Sequence, residues 1–195
     1  MTDYQRLYNG ISKAAWGYFF LYFNFNIGTL NVIPSFVGYL LFLSAVKMLK
    51  EEERELSLLS TLGFILTVWA VIEWIGSLVS VDVNGMWQFA DIVISLVNLY
   101  FHFQLLTNMA SIAVKHQSAG YELDSRLLRY RTLQTIMLTA SEIVTYVQSW
   151  LSLEWPYISI IMMLVYVIAG ICLMKALFEL RKALPDNLIY KNASH

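Results

Sequence analysis

Three carboxylates, Glu73, Asp91 and Glu142, lie inside otherwise apolar stretches, and no lysine or arginine lies at a similar depth. An ionisable side chain in hydrocarbon costs about 2.5–3.5 kcal/mol. Such groups therefore face a protein interior, where they hold a proton, share hydrogen bonds or meet a cation. Helical spacing extends each carboxylate into a polar stripe. Asp91, Ser95, Asn98 and His102 advance by four, three and four residues, which keeps them on one helix face. Thr135, Thr139, Glu142, Tyr146 and Ser149 do the same, and Glu73 shares a face with Trp69, Ser77 and Ser80.

Two chemistries suit these stripes. One is a hydrogen-bond network that joins helices. The other is an acid-lined pocket for a cation, an amine or a proton, with Asn24, Asn26 and Asn31 as further hydrogen-bonding groups and Trp69, Trp74 and Trp87 as walls. Catalysis has no motif to support it: there is no Gly-x-Ser-x-Gly and no phosphate-binding glycine loop. His102, His116 and His195 are scattered and form no zinc-protease pattern. Cys172 is the only cysteine, which excludes an intramolecular disulfide and a cysteine-based zinc site. No metal and no cofactor are expected.

The composition says what must carry these residues. Of 195 residues, 58% are hydrophobic and 14% charged, against about 25% charged in soluble domains. Mean hydropathy is +0.57. The formal net charge of −1 lacks the basic excess of nucleic-acid binders. The polar opening Met1-Thr2-Asp3-Tyr4-Gln5-Arg6 reads as no signal peptide. The expected fold is all-α: one domain of six transmembrane helices, at about 12–25, 34–49, 58–81, 86–114, 133–153 and 156–178. They pair as three hairpins.

All thirteen lysines and arginines fall before or at the start of helix 1, between helices 2 and 3 including the end of helix 2, between helices 4 and 5, or from the end of helix 6 onward. The connections 1–2, 3–4 and 5–6 have none. By the positive-inside rule both termini are cytoplasmic. Helices 3 and 4 then place Glu73 and Asp91 in their outer halves, with Glu142 near mid-depth. Asn24, Asn26, Asn31 and Gln148 are also outer, so the expected pocket opens outward. Helices 1 and 2 are short for full crossings, and their connection either sits deep in the membrane or makes a re-entrant hairpin. Connections 3–4 and 5–6 read as tight turns. The tryptophans, including Trp16, Trp150 and Trp155, read as an interfacial belt or as pocket walls.

Glu51-Glu52-Glu53-Arg54-Glu55 reads as a solvated helix extension with local pairing, since Lys47 and Glu51 are four apart. The basic stretch 125–131, with Arg126, Arg129 and Arg131, is expected to lie against anionic headgroups or to hold a cytoplasmic protein.

The stretch Asn26-Ile27-Gly28-Thr29-Leu30-Asn31-Val32-Ile33-Pro34-Ser35-Phe36-Val37-Gly38-Tyr39 resembles a motif of small, uncharacterised integral membrane proteins of Gram-positive bacteria. It covers about a quarter of the chain and implies a bacterial plasma membrane. In layout alone the chain is similar to the substrate-binding S-components of energy-coupling-factor importers, although helix 1 has no clear Ala-x-x-x-Ala docking pattern. The sequence reading is therefore a six-span plasma-membrane protein that binds or transports a small polar or cationic solute. The alternative is a non-transporting scaffold or sensor subunit that holds a cytoplasmic partner through the basic 115–131 connection. The bilayer is the one partner common to both.

Overall fold

The computed structural model describes residues 4–23, 26–27, 30–31, 34–53, 55–79, 88–117, 122–151 and 156–184. Six α-helices account for most of them: α1 (Tyr4–Tyr22), α2 (Ser35–Leu49), α3 (Leu56–Leu78), α4 (Gln88–His116), α5 (Leu123–Leu151) and α6 (Pro156–Ala183). Between α1 and α2, β1 (Asn26–Ile27) pairs antiparallel with β2 (Leu30–Asn31), in the register Asn26↔Asn31 and Ile27↔Leu30. This connection was the one expected to be irregular. Local strand pairing satisfies backbone groups that would be costly to leave bare in an apolar setting.

Among the described residues, three helices are long and apolar enough to cross a membrane: Leu56–Leu78, Phe89–His116 and Ile160–Ala183. Ser35–Leu49 is apolar but shorter. Its bounds match the expected ones. Pro34, at φ −69°, sits before its first residue, where a missing N–H costs nothing, and the Lys50 N–H closes its last turn on the Val46 carbonyl at 2.9 Å.

Helices α1 and α5 begin well before the expected residues 12 and 133, and α6 runs five residues past 178. These additions are amphipathic, so no continuous apolar run marks them. Leu7 and Ile11 of α1, Leu123 and Leu127 of α5, and Leu180 of α6 are all fully buried or nearly so. The start of α5 is also capped. Gln117 Oε1 accepts from the Leu123 N–H at 3.0 Å, and Gln117 Nε2 donates to Asp124 at 2.9 Å. The 125–131 stretch expected in a connection is thus helix.

Each helix packs on the next, and α6 returns to α1, so the six close into a ring. The α1–α2 crossing is tight. A Cβ on Gly17 would stand 2.7 Å from the Phe42 ring, and one on Gly170 of α6 would strike the ring of Tyr22. Tyr18, Phe42 and Phe101 are the largest fully buried side chains at the centre.

The two ends of the ring differ. Charge pairs gather at one end: Arg6–Glu51 (2.5 Å), Lys115–Glu53 (2.6 Å), His116–Glu52 (3.1 Å) and Arg126–Glu179 (2.7 Å). The 51–55 acidic run is therefore spent on contacts across the bundle, not on the local pairing its spacing suggested. Residues 51–53 are not helical. A local i,i+4 pair is worth only about 0.3–0.5 kcal/mol, too little to compete with partners brought in by packing. Away from this end burial falls off in α4, α5 and α6. Among the described residues, no side chain is buried in α4 before Phe101, in α5 after Gln134, or in α6 before Ala169.

Candidate ligand site

The polar stripe of α4 faces the other helices, as its spacing required. Ser95 Oγ donates to Glu142 Oε1 on α5 at 2.8 Å. One turn on, Asn98 Oδ1 accepts from the Tyr39 hydroxyl on α2 at 2.9 Å. A further turn on, a hydrogen bond of 3.2 Å joins His102 Nδ1 and the Tyr18 hydroxyl on α1. One helix face thus ties α4 to three neighbours.

His102 is 3% exposed. The rings of Tyr18, Phe42, Phe101 and Tyr39 surround it at centroid distances of 5.4, 5.6, 5.4 and 6.4 Å. Its hydrogen-bond partner is a phenol, and no cluster of three His, Cys, Asp or Glu side chains able to hold a metal exists among the described residues. The imidazole is thus a buried group that joins α4 to α1.

Glu73 accepts from Trp69 Nε1 at 2.8 Å, one turn back on α3. Asp91 stands in the first turn of α4, which packs on α3. Glu142 is exposed and stands on the α4–α5 seam. There it lines a cavity of about 150 Å³ with Ser95, Asn98, Thr139 and Tyr146. Asn98 lines this cavity and is bound by Tyr39 of α2.

The remaining expected residues are placed as follows. Trp69 holds a carboxylate, and Trp74 packs edge-on against Phe36 at 5.4 Å. Asn26 and Asn31 are paired through their backbones, and their side chains lie outside the described residues, as do those of Trp150 and Ser149. Asn24, Ser80, Trp87, Trp155, Arg54 and the connections 3–4 and 5–6 also lie outside them.

Of the three arginines, Arg126 donates to Glu179 at 2.7 Å. Arg131 donates to Thr107 at 3.0 Å and lies over the Phe103 ring at 4.3 Å. Arg129 is exposed.

A tyrosine series was not expected. Tyr166 of α6 lies 4.5 Å from Tyr22, and Tyr22 stacks on Tyr18 at 6.0 Å. Tyr166 also lines a second cavity of about 340 Å³ between α5 and α6, with Ser141, Thr145, Gln148 and several methionines. Phenol groups therefore lead from that cavity to His102. The only advance signal was Tyr18 and Tyr22 at helical spacing. Comparison with models of known families, with curated protein sequences and with solved structures finds no match for this chain.

Proposed function

We propose that this chain is a six-span bacterial plasma-membrane protein with cytoplasmic termini that binds or moves a small cationic solute away from its charged end. One observation carries the solute reading: Glu142 and Asn98 line the same cavity. The exposed carboxylate supplies charge, and the amide and hydroxyl oxygens of Asn98, Ser95 and Tyr146 replace water around a cation. A cavity of about 150 Å³ is below the roughly 300 Å³ of ordinary small-molecule pockets. That size suits a monovalent ion or a short amine and disfavours a vitamin-sized ligand.

The orientation rests on the gathering of paired basic residues at one end, which includes Arg6 near the start of α1 and Arg181 near the end of α6; Arg181 donates to Ser12 at 3.2 Å. The bacterial location rests on the 26–39 motif. The scaffold reading draws on less. Arg126 and Arg131 are engaged within the chain, which leaves Arg129 as the exposed member of the trio.

The test is thermal unfolding of the detergent-purified protein against sodium, potassium, ammonium and methylammonium. A cation-specific rise in Tm that disappears in Glu142→Gln supports the reading. Equal Tm in all four salts, or a rise retained by Glu142→Gln, overturns it.

A further inference from the structure

At the charged end α2 and α3 border an open groove of about 910 Å³ on the outside of the ring. Lys47 and Lys50 line it from the end of α2, and Ser57, Ser60 and Thr61 line it from the first two turns of α3. Lys13 stands behind it and donates to Ser44, another lining residue, at 2.6 Å.

The neighbouring acidic residues are directed elsewhere. Glu51 holds Arg6, Glu52 holds His116, Glu53 holds Lys115, and Glu55 accepts from Gln104 at 2.7 Å. No carboxylate lines the groove, and Lys47 and Lys50 are exposed and in no ion pair among the described residues. Two exposed ammonium groups thus stand on a groove lined by no carboxylate among the described residues, although the chain's formal net charge is −1.

The walls change character along their length. On α2, Lys47 and Ser44 are followed at helical spacing by exposed Leu40. On α3, Ser57 and Thr61 are followed by exposed Phe64 and Val68. Ammonium and hydroxyl groups at one end of a groove, continued by an exposed apolar strip, match a molecule with an anionic phosphate head and hydrocarbon tails. A free anion would leave the strip unused, and an acidic soluble peptide would leave it bare.

We infer that the α2–α3 groove is a binding site for an anionic glycerophospholipid, with its phosphate between Lys47, Lys50 and the α3 hydroxyls and an acyl chain along Leu40 and Phe64. The inference rests on the membrane reading above but not on the solute site. Lysine ammonium groups at an anionic lipid surface supply the attraction, and the hydroxyls supply directional donors that make the site local.

The test begins with alkaline carbonate extraction of membranes containing the full chain. Release into the supernatant overturns the membrane reading and this inference together. When the chain is retained, native mass spectrometry of the purified protein compares phosphatidylglycerol, phosphatidylcholine and water-soluble glycerol phosphate. Phosphatidylglycerol is expected to be held preferentially, and Lys47→Gln with Lys50→Gln is expected to weaken it about thirtyfold. Ser57→Asp, which puts a like charge at the phosphate, is expected to weaken it as well. Lys175→Gln, an exposed lysine on α6, is expected to leave it unchanged.

Equal retention of phosphatidylcholine, or no change in the lysine variants, overturns the inference with the membrane reading intact. Equal loss in Lys175→Gln shows diffuse attraction and also overturns it. Equal binding of glycerol phosphate assigns the groove to a free anion instead. A dimer that disappears in the lysine variants assigns it to a second copy of the chain.

Discussion

The Tyr39 hydroxyl donates to Asn98 Oδ1 at 2.9 Å, and this bond joins α2 to the cavity that Glu142 lines between α4 and α5. Tyr39 is nearly buried, at 9% exposure. Its removal leaves an amide oxygen facing an apolar neighbour, which costs more than the net value of the bond. Tyr39→Phe is expected to lower stability by about 1–3 kcal/mol. A double-mutant cycle with Asn98→Ala should recover a coupling of about 1 kcal/mol. Unfolding in detergent measures both, and strict additivity would show that the bond does not form.

Close approach of α1 and α2 gives a prediction of opposite sign to helix propensity. Alanine in place of a helical glycine normally gains about 1 kcal/mol. At Gly17 the added methyl would stand 2.7 Å from the fully buried Phe42 ring, whereas at Gly63 the nearest atoms are the end of the Leu43 side chain at 3.0 Å and the buried Phe101 ring at 3.1 Å. Overpacking against a fixed ring costs about 1–3 kcal/mol, and a few tenths of an ångström separate the two sites in how far the ring must give. Gly17→Ala is expected to lower Tm more than Gly63→Ala. Equal Tm changes in the two variants would contradict the tight crossing.

Acid should loosen the charged end of the ring. At Glu53 burial opposes the charge, but hydrogen bonds from Lys115 and Ser111 together with the Lys115 charge outweigh it and lower its pKa from 4.5. A carboxylate with a folded pKa below its unfolded one stabilises the fold fully above the unfolded value. That contribution is lost as pH falls through the folded value. Tm should therefore hold from neutral pH to about 4.5 and then decline. Glu53→Gln should start lower at neutral pH and decline less. An unchanged acid slope in Glu53→Gln would show that the Lys115 pair adds nothing.

How much could be read in advance depended on where a residue's partner lay. Helix α2 was legible to within a residue because Pro34 and Lys50 mark its ends locally. The beginnings of α1 and α5 were not, because Leu7, Ile11, Leu123 and Leu127 are separated by polar residues and their burial depends on other helices. The stripe on α4 was legible because a four-three-four spacing of Asp91, Ser95, Asn98 and His102 needs only helix geometry. Its partners were not: Tyr18 and Tyr39 look like any aromatic residue in an apolar helix until packing brings their hydroxyls to His102 and Asn98. The pairing of the 51–55 acids failed for the same reason, since a local template cannot show Arg6 or Lys115 arriving from α1 and α4.

The contact between His102 and Tyr18 separates a structural role from a ligand role by its pattern of losses. Both side chains are buried, and each supplies the other's hydrogen bond at 3.2 Å. Tyr18→Phe leaves one ring nitrogen without a partner, and His102→Phe leaves one phenol without a partner. Each single change is expected to cost about 1–3 kcal/mol, whereas replacing both partners by apolar groups of similar shape is close to neutral. The double variant Tyr18→Phe with His102→Phe should therefore recover much of the stability lost by either single variant. It should also keep any cation-dependent rise in Tm, because Glu142 and Asn98 are untouched. If His102 were instead a solute ligand, the double variant would regain stability and lose the cation response. Thermal unfolding of the three variants, each with and without the most stabilising cation, distinguishes the two roles in one set of measurements.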